Sequence, residues 1–208
     1  MKTMLVLSMG ALLLAGTLSA QTPVPEWQAG VDKMKSLIQT NPAQASEEVG
    51  ELLKGKNKKN VDLVTSVAHV YLDAGKLTEA QEYLAMAKKA DNKDPKVSVL
   101  EGDIVLAQKN IGQACQLYEQ AIYFDPNCKE AYLKYAQAYK SASPALAIEK
   151  LEQLKAVDPN CLEADRELAE VYYSSNRFGK AAEMYAKFID TPLATEDDML
   201  KYAFALSL

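Results

Sequence analysis

From residue 61 onward the hydrophobic positions recur at helical spacing. Val64, Val67, Ala68, Tyr71 and Leu72 mark one amphipathic stripe, and after Gly75 a second follows at Leu77, Ala80, Leu84 and Ala87. The pattern predicts two short helices joined by a tight turn. The same arrangement then returns at a fixed interval. Ala80, Ala114, Ala147 and Ala181 are 34, 33 and 34 residues apart; Tyr71, Val105, Tyr139, Tyr172 and Leu206 follow steps of 34, 34, 33 and 34; Pro126, Pro159 and Pro192 follow steps of 33 and 33. Three series with one period predict a chain of stacked repeats rather than a single globular core.

The residues between the stripes have the chemistry of turns. Gly75 takes a positive φ without strain, Asn110 and Asn176 tolerate one, and Pro144 suits the first turn of a helix. The pairs Asp125-Pro126 and Asp158-Pro159 are expected to stop each second helix, because a residue before proline is pushed out of the α region. Two helices approach to about 8–10 Å only where the crossing side chains are small. Ala68 with Ala80, and Gly102 with Ala114, supply such crossings.

These residues resemble the tetratricopeptide repeat (TPR). The first unit matches its pattern at Val64, Val67, Ala68, Tyr71, Gly75, Ala80, Leu84 and Ala87, and the second at Gly102, Ala114, Tyr118, Ala121 and Pro126. The third matches at Tyr132, Tyr135, Ala136, Tyr139, Ala147, Leu151 and Pro159, and the fourth at Leu168, Ala169, Tyr172, Ala181 and Tyr185. Ser98 and Glu101 stand where the family prefers apolar residues, and Leu154 and Phe188 where a final Ala is usual. The resemblance implies an all-α fold, a right-handed α-solenoid of stacked antiparallel helix pairs. Its domain would span 61–208, with repeats at about 61–94, 95–128, 129–161 and 162–194 and the first helix of a fifth at 195–208.

Before the clear repeats, Trp27, Val31, Met34, Leu37 and Ile38 form one stripe, and Ala45, Val49, Leu52 and Leu53 another after Asn41-Pro42. Residues 21–60 therefore read as a divergent hairpin that covers the apolar edge of the first repeat, as a terminal unit of a solenoid must. At the other end Met199, Tyr202, Ala203 and Leu206 form the apolar face of a helix with no second helix after it. Two explanations are open: a longer parent protein, or docking of that helix on a partner or a second copy.

Residues 1–20 carry Lys2, an apolar run from Met4 to Leu14, and the small residues Ala15, Gly16, Thr17, Ser19 and Ala20. This is the pattern of a secretory signal peptide cleaved after Ala20. A membrane anchor needs about 20 apolar residues, and this stretch is shorter and broken by Ser8 and Gly10. The first Cys is Cys115, so no lipid-bearing Cys lies at the cleavage site. The signal resembles a bacterial one, and the expected location is exported, either periplasmic or secreted.

The formal net charge of -5 is the wrong sign for a nucleic-acid binder. One His and three Cys are too few for a His- and Cys-rich metal cluster or a disulfide scaffold. No phosphate loop, dinucleotide fingerprint, zincin motif or nucleophile elbow occurs. His69 has no patterned acid, nucleophile or second ligand and reads as a groove contact rather than a catalyst. Cys128 and Cys161 recur in Asp-Pro-Asn-Cys strings. Equivalent positions in stacked repeats lie about 10 Å apart, too far for a disulfide, so both are expected to be free thiols, with Cys115 buried as a small hydrophobe. Lys54, Lys56, Lys58 and Lys59 read as a solvated connection between helices, in preference to a site for an acidic ligand or membrane.

The resemblance also implies which first-helix residues face the inner groove. In the first repeat these are Asp62, Thr65, His69 and Leu72, and in the second Lys96, Val99, Asp103 and Leu106. They continue as Glu130, Leu133, Gln137 and Lys140, then Glu163, Arg166, Glu170 and Tyr173. Five acids against three bases make the set mildly acidic. The Lys and Asn clamp by which TPR domains hold a chaperone's acidic C-terminus is missing, so the groove is expected to prefer a segment with apolar anchors and some positive charge. The competing occupant is the protein's own further chain. The expected function is a non-catalytic protein-interaction scaffold in the bacterial cell envelope that binds a peptide or protein segment. It needs no cofactor, metal, nucleic acid or small-molecule substrate. The alternative is a positioning module of a longer multidomain protein, in which case an active site could lie elsewhere.

Overall fold

The computed structural model describes residues 24–208. The expected signal segment at 1–20, with its cleavage point after Ala20, lies outside the described residues. The described chain is all-helical. It runs α1 Gln28–Leu37, α2 Pro42–Leu52, a 3-10 turn at Gly55–Lys59, α3 Val61–Asp73, α4 Leu77–Ala90, α5 Pro95–Ala107 and α6 Ile111–Phe124. It continues with α7 Lys129–Tyr139, α8 Pro144–Val157, α9 Leu162–Ser174, α10 Phe178–Tyr185 and α11 Glu196–Leu206. Each odd-numbered helix from α1 to α9 packs on the helix after it, and the pairs stack into a solenoid.

Local chemistry fixes the ends of these helices. Asn41, Asn60 and Asn110 are N-caps whose side chains accept from the backbone N–H of Gln44, Leu63 and Gln113, and Pro42, Pro95 and Pro144 open their helices. Asp125 and Asp158 leave the helical region at φ −139° and −128°, so the Asp-Pro pairs end α6 and α8 as expected. In three pairs the turn between helices is closed by one repeated bond: Lys76 N–H to Tyr71 O, Asn110 N–H to Val105 O and Arg177 N–H to Tyr172 O, at 2.9, 3.2 and 2.9 Å. Gly75 and Asn176 take the left-handed conformation this turn needs, at φ +74° and +57°. Asn110 does not; Lys109 does, at φ +67°, because Asn110 is engaged one position later as the cap of α6.

Small residues sit at the helix crossings. Ala68, Ala80, Ala114, Ala147, Ala169 and Ala181 have no exposed surface. At Gly102 an added Cβ would stand 2.5 Å from Cε1 of Tyr118, a side chain that is itself completely buried. Val31, Met34, Ile38, Ala45, Val49 and Leu53 join the core of the first repeat, so α1 and α2 share one apolar cluster with α3 and α4. The fourth pair departs from the period: α10 has 8 residues, where α4, α6 and α8 each have 14. Phe188 stands where Ala87 and Ala121 stand in earlier pairs. Its larger ring is seated in the core by a tighter turn, with Lys187 and Phe188 donating to the carbonyls three residues back.

All three cysteines are unbonded, with Cys115 and Cys161 buried. The lysine cluster lies on the 3-10 turn, where Lys54 pairs with Glu51 at 2.5 Å and Lys56, Lys58 and Lys59 reach toward solvent without a carboxylate partner among the described residues. At the far end Thr195 caps α11 in a reciprocal box with Asp198.

Candidate functional site

Successive first helices touch one another, α3 with α5, α5 with α7 and α7 with α9, whereas successive second helices do not pack to a comparable extent. The first helices therefore line the inner side of the curve. Their side chains form a ladder of polar contacts about one repeat long at each rung. Asp62 pairs with Lys96, His69 Nε2 lies 3.2 Å from Asp103, and Lys129 donates to Glu163 at 2.8 Å. Gln137 donates to Glu167 at 2.8 Å, Arg166 meets Asp198 at 3.1 Å, and Lys201 meets Glu170 at 2.9 Å. Lys140 Nζ stands 3.8 Å from Glu167.

Among the five acids expected in the groove, Asp103 is the one drawn into the core. It is 8% exposed and receives three donors: Tyr118 Oη at 2.7 Å, Lys134 Nζ at 2.8 Å, and the His69 ring. Burial pushes its carboxyl up, but the His69 and Tyr118 hydrogen bonds and the Lys134 charge outweigh it and hold the group below the ordinary carboxylate range. The Glu163 carboxyl is likewise held low, first by its hydrogen bond from Lys129.

The structure redistributes the sixteen residues expected to face a partner. Val99 has no exposed surface and Asp103 is taken up by the core, so neither presents a side chain to an incoming segment. Thr65 is buried with its hydroxyl donating to Val61 O at 2.8 Å, and it forms the floor of a cleft rather than a contact on the rim. Tyr173 is not a free anchor either. Its ring packs edge-on against Phe178 and Phe204, at 5.4 and 6.1 Å between centroids. Asp62, Lys96, Gln137, Lys140, Glu163, Arg166 and Glu170 are rungs of the ladder, and Leu72, Leu106 and Leu133 are half-buried. The acidic surplus is reduced by bases that the inward-facing set left out: Lys129, Lys134 and Lys201 neutralise Glu163, Asp103 and Glu170. Of the five groove acids, Glu130 alone has no ion-pair partner among the described residues.

A cleft of about 350 Å³ opens at the N-terminal end of this face, lined by Pro25, Trp27, Asp62, Thr65, Ser66, His69, Lys96 and Glu130. Five of these were expected at the groove. Pro25 and Trp27 come from the segment before α1 and are missed by repeat-based reasoning, because their placement depends on how α1 docks on α3. Among the described residues no group of three or more His, Cys, Asp and Glu side chains is placed to hold a metal ion. None of their helices is long and apolar enough to cross a membrane.

Comparison with known proteins agrees with this architecture. The family model for the tetratricopeptide repeat matches residues 67–128 and 137–194, more than half of the chain. Among solved structures the chain is similar to a thermophilic TPR protein of Thermus thermophilus. The two are 20% identical, the match covers 87% of this chain and 99% of that one, and the TM-score is 0.66. It is also similar to PilW, a type IV pilus biogenesis factor, at 19% identity, with 86% of each chain covered and a TM-score of 0.66. A third is YrrB, a TPR protein with an unusual peptide-binding site, at 17% identity, 86% and 91% coverage and a TM-score of 0.53. No curated protein matches the sequence. A solenoid of this kind is a scaffold for protein–protein interaction, and the chain belongs to the tetratricopeptide repeat family.

Proposed function

We propose that the chain is a non-catalytic scaffold exported to the bacterial cell envelope, and that it holds a segment of a partner protein in its concave groove. The observation that carries the reading is the cleft at Trp27 and Glu130. An indole, a proline ring and the Glu130 carboxylate, which lies outside ion-pair distance of any cation among the described residues, share one concavity with the Asp62–Lys96 pair. A Lys or Arg side chain laid there would meet the Glu130 charge and the indole face together, while an adjacent apolar residue would cover Pro25. The ladder supports the same preference, since its other acids already hold lysine or arginine partners. Export is supported by Lys2, the apolar run Met4–Leu14 and the small residues up to Ala20.

Trp27 is the only tryptophan, so its emission reports occupancy of the cleft. Titration with extended peptides that alternate leucine and lysine should shift that emission, and matched leucine–glutamate peptides should not. Glu130→Lys should weaken the basic peptide by about tenfold, the loss of one well-placed charge contact. No emission change with either peptide, or a preference for the acidic one, would remove the proposal. Recovery of the protein in the cytoplasmic fraction would remove its envelope location.

A further inference from the structure

We infer that the cleft between α8, α9 and the end of α10 is a binding site for a carboxylate that carries an apolar group. The cleft has a volume of about 540 Å³, within the range of small-ligand sites, and is lined by Lys155, Pro159, Asn160, Leu162, Asp165 and Lys187. It shares no residue with the cleft at Trp27. One repeat earlier the matching positions are closed by larger, uncharged side chains. Ile122, the counterpart of Lys155, is half-buried, and Tyr132, the counterpart of Asp165, is buried with its hydroxyl donating to Pro126 O at 3.1 Å. In the fourth repeat both positions carry charge, and the shorter side chain of Asp165 leaves the space beside Pro159 open.

The charges in this cleft do not cancel. Asp165 is buried, with Lys155 Nζ 2.7 Å from one of its oxygens and Lys187 Nζ 3.2 Å from the other. Neither lysine has a second carboxylate within ion-pair distance among the described residues. One ammonium is enough to neutralise the buried acid; two lysines against one aspartate leave the lining with a net charge of +1. An ammonium carries three N–H donors. Lys155 gives one to Asp165, whereas Lys187 gives one to Asp165 and points another at Met184 Sδ, 3.3 Å away. Donors therefore remain on both lysines, and the Lys155 side chain is only 16% exposed, so little solvent reaches it. A carboxylate reaching both lysines would take those donors and complete an alternating set of two cations and two anions. A dianionic phosphate would overshoot and turn the cleft negative. Pro159 and Leu162 supply apolar surface beside the lysines, which suits a hydrocarbon group next to the acid. The C-terminus of a peptide ending in leucine and a free short-chain acid share this chemistry.

An NMR titration of the full chain with N-acetyl-leucine at low salt tests the site. Amide shifts should move at Asn160 and Leu162 with a dissociation constant of about 1 mM, while the indole resonance of Trp27 stays in place. N-acetyl-leucinamide, which lacks the charge, should leave the spectrum unchanged, and inorganic phosphate should bind more weakly than the acid. Lys187→Gln should weaken N-acetyl-leucine by about tenfold, the loss of one charge contact. The Lys187 side chain is 45% exposed and Lys155 still serves Asp165 without it, so the fold should hold; a circular dichroism melt checks that. A leucine-terminated peptide that binds more tightly than N-acetyl-leucine, and loses its binding when amidated, assigns the site to a chain terminus; equal binding of the two assigns it to a free acid. No shift change at Asn160 and Leu162 with about 10 mM acid, equal binding of the amide, tighter binding of phosphate, or indifference to Lys187→Gln would each overturn the inference.

Discussion

The hydroxyl of Tyr118 donates to Asp103 across 2.7 Å from a ring that lies where a side chain at position 102 would project. Sequence order separates the two by one turn between helices, and packing makes them a single unit. Gly102 has no Cβ, so the ring passes close to the backbone of α5 and its oxygen reaches the carboxylate one residue further along. Asp103 in turn collects His69 from the preceding repeat and Lys134 from the following one. Three consecutive repeats thus meet at one buried carboxylate.

Gly102→Ala should destabilise the fold although alanine is the better helix former. The gain in helix propensity is about 1 kcal/mol at most, whereas the new Cβ falls 2.5 Å from a ring that is completely buried and tethered by its hydroxyl. Overpacking of this kind costs about 1–3 kcal/mol. Urea unfolding should show a lower midpoint, and a midpoint at or above that of the parent would show that the ring can move aside.

Asp103 should also make stability depend on acid. Its folded carboxyl sits below the ordinary value near 3.9, so the unfolded chain takes up the proton first as pH falls. The contribution is therefore complete above the unfolded value and is lost as pH drops toward the folded one. Comparing Asp103→Asn with the parent, the stability difference should be largest above about pH 5 and shrink at lower pH. A difference constant from pH 7 to pH 3 would contradict the ionised assignment.

Much of the fold could be read from the chain because one constraint repeats. Each crossing admits only Ala or Gly, and each aromatic fills the gap beside it, so packing wrote itself into the sequence at steps of 33 and 34 residues. The groove was harder to read. Lys134 lies one position beyond Leu133 on α7, and Lys201 lies on α11, outside the four helices whose inward-facing residues the repeat pattern names; their long stems carry the charge back across the groove to Asp103 and Glu170. Trp27 belongs to no repeat, so no periodicity could place it beside Glu130. Lys109 takes the left-handed turn position because its neighbour Asn110 was the better cap, a competition settled by geometry and not by either residue's preference alone.

Overpacking the crossings should be costly at Ala80 and at Ala147, which both have no exposed surface. Ala80→Leu and Ala147→Leu each add three carbon atoms between two helices and should lower stability by about 1–3 kcal/mol. Ala145, exposed on the same helix as Ala147, provides the comparison. Its replacement by Leu should change stability by no more than about 0.5 kcal/mol. Equal thermal melts for the Ala147 and Ala145 variants would place the crossing somewhere else.

The rungs of the ladder should differ sharply in worth. Asp62 and Lys96 are each about half exposed, at 52% and 51% of their side-chain surface. Exposed pairs of this kind contribute between 0 and about 1 kcal/mol because water and salt screen them. Lys134 instead serves a carboxylate that is 7% exposed and that would lose one of its three donors. Lys134→Met should cost about 1–3 kcal/mol, the penalty for stripping a partner from a buried charged group, while Lys96→Met should sit near zero and vanish in high salt. Chemical denaturation of the two variants at low and high ionic strength separates these outcomes, and equal losses would deny the contrast. The difference bears on binding as well. On the proposed function, rungs that cost little to open would yield Asp62 or Lys96 to a segment entering the cleft, while the Asp103 junction behind them keeps the helices in register.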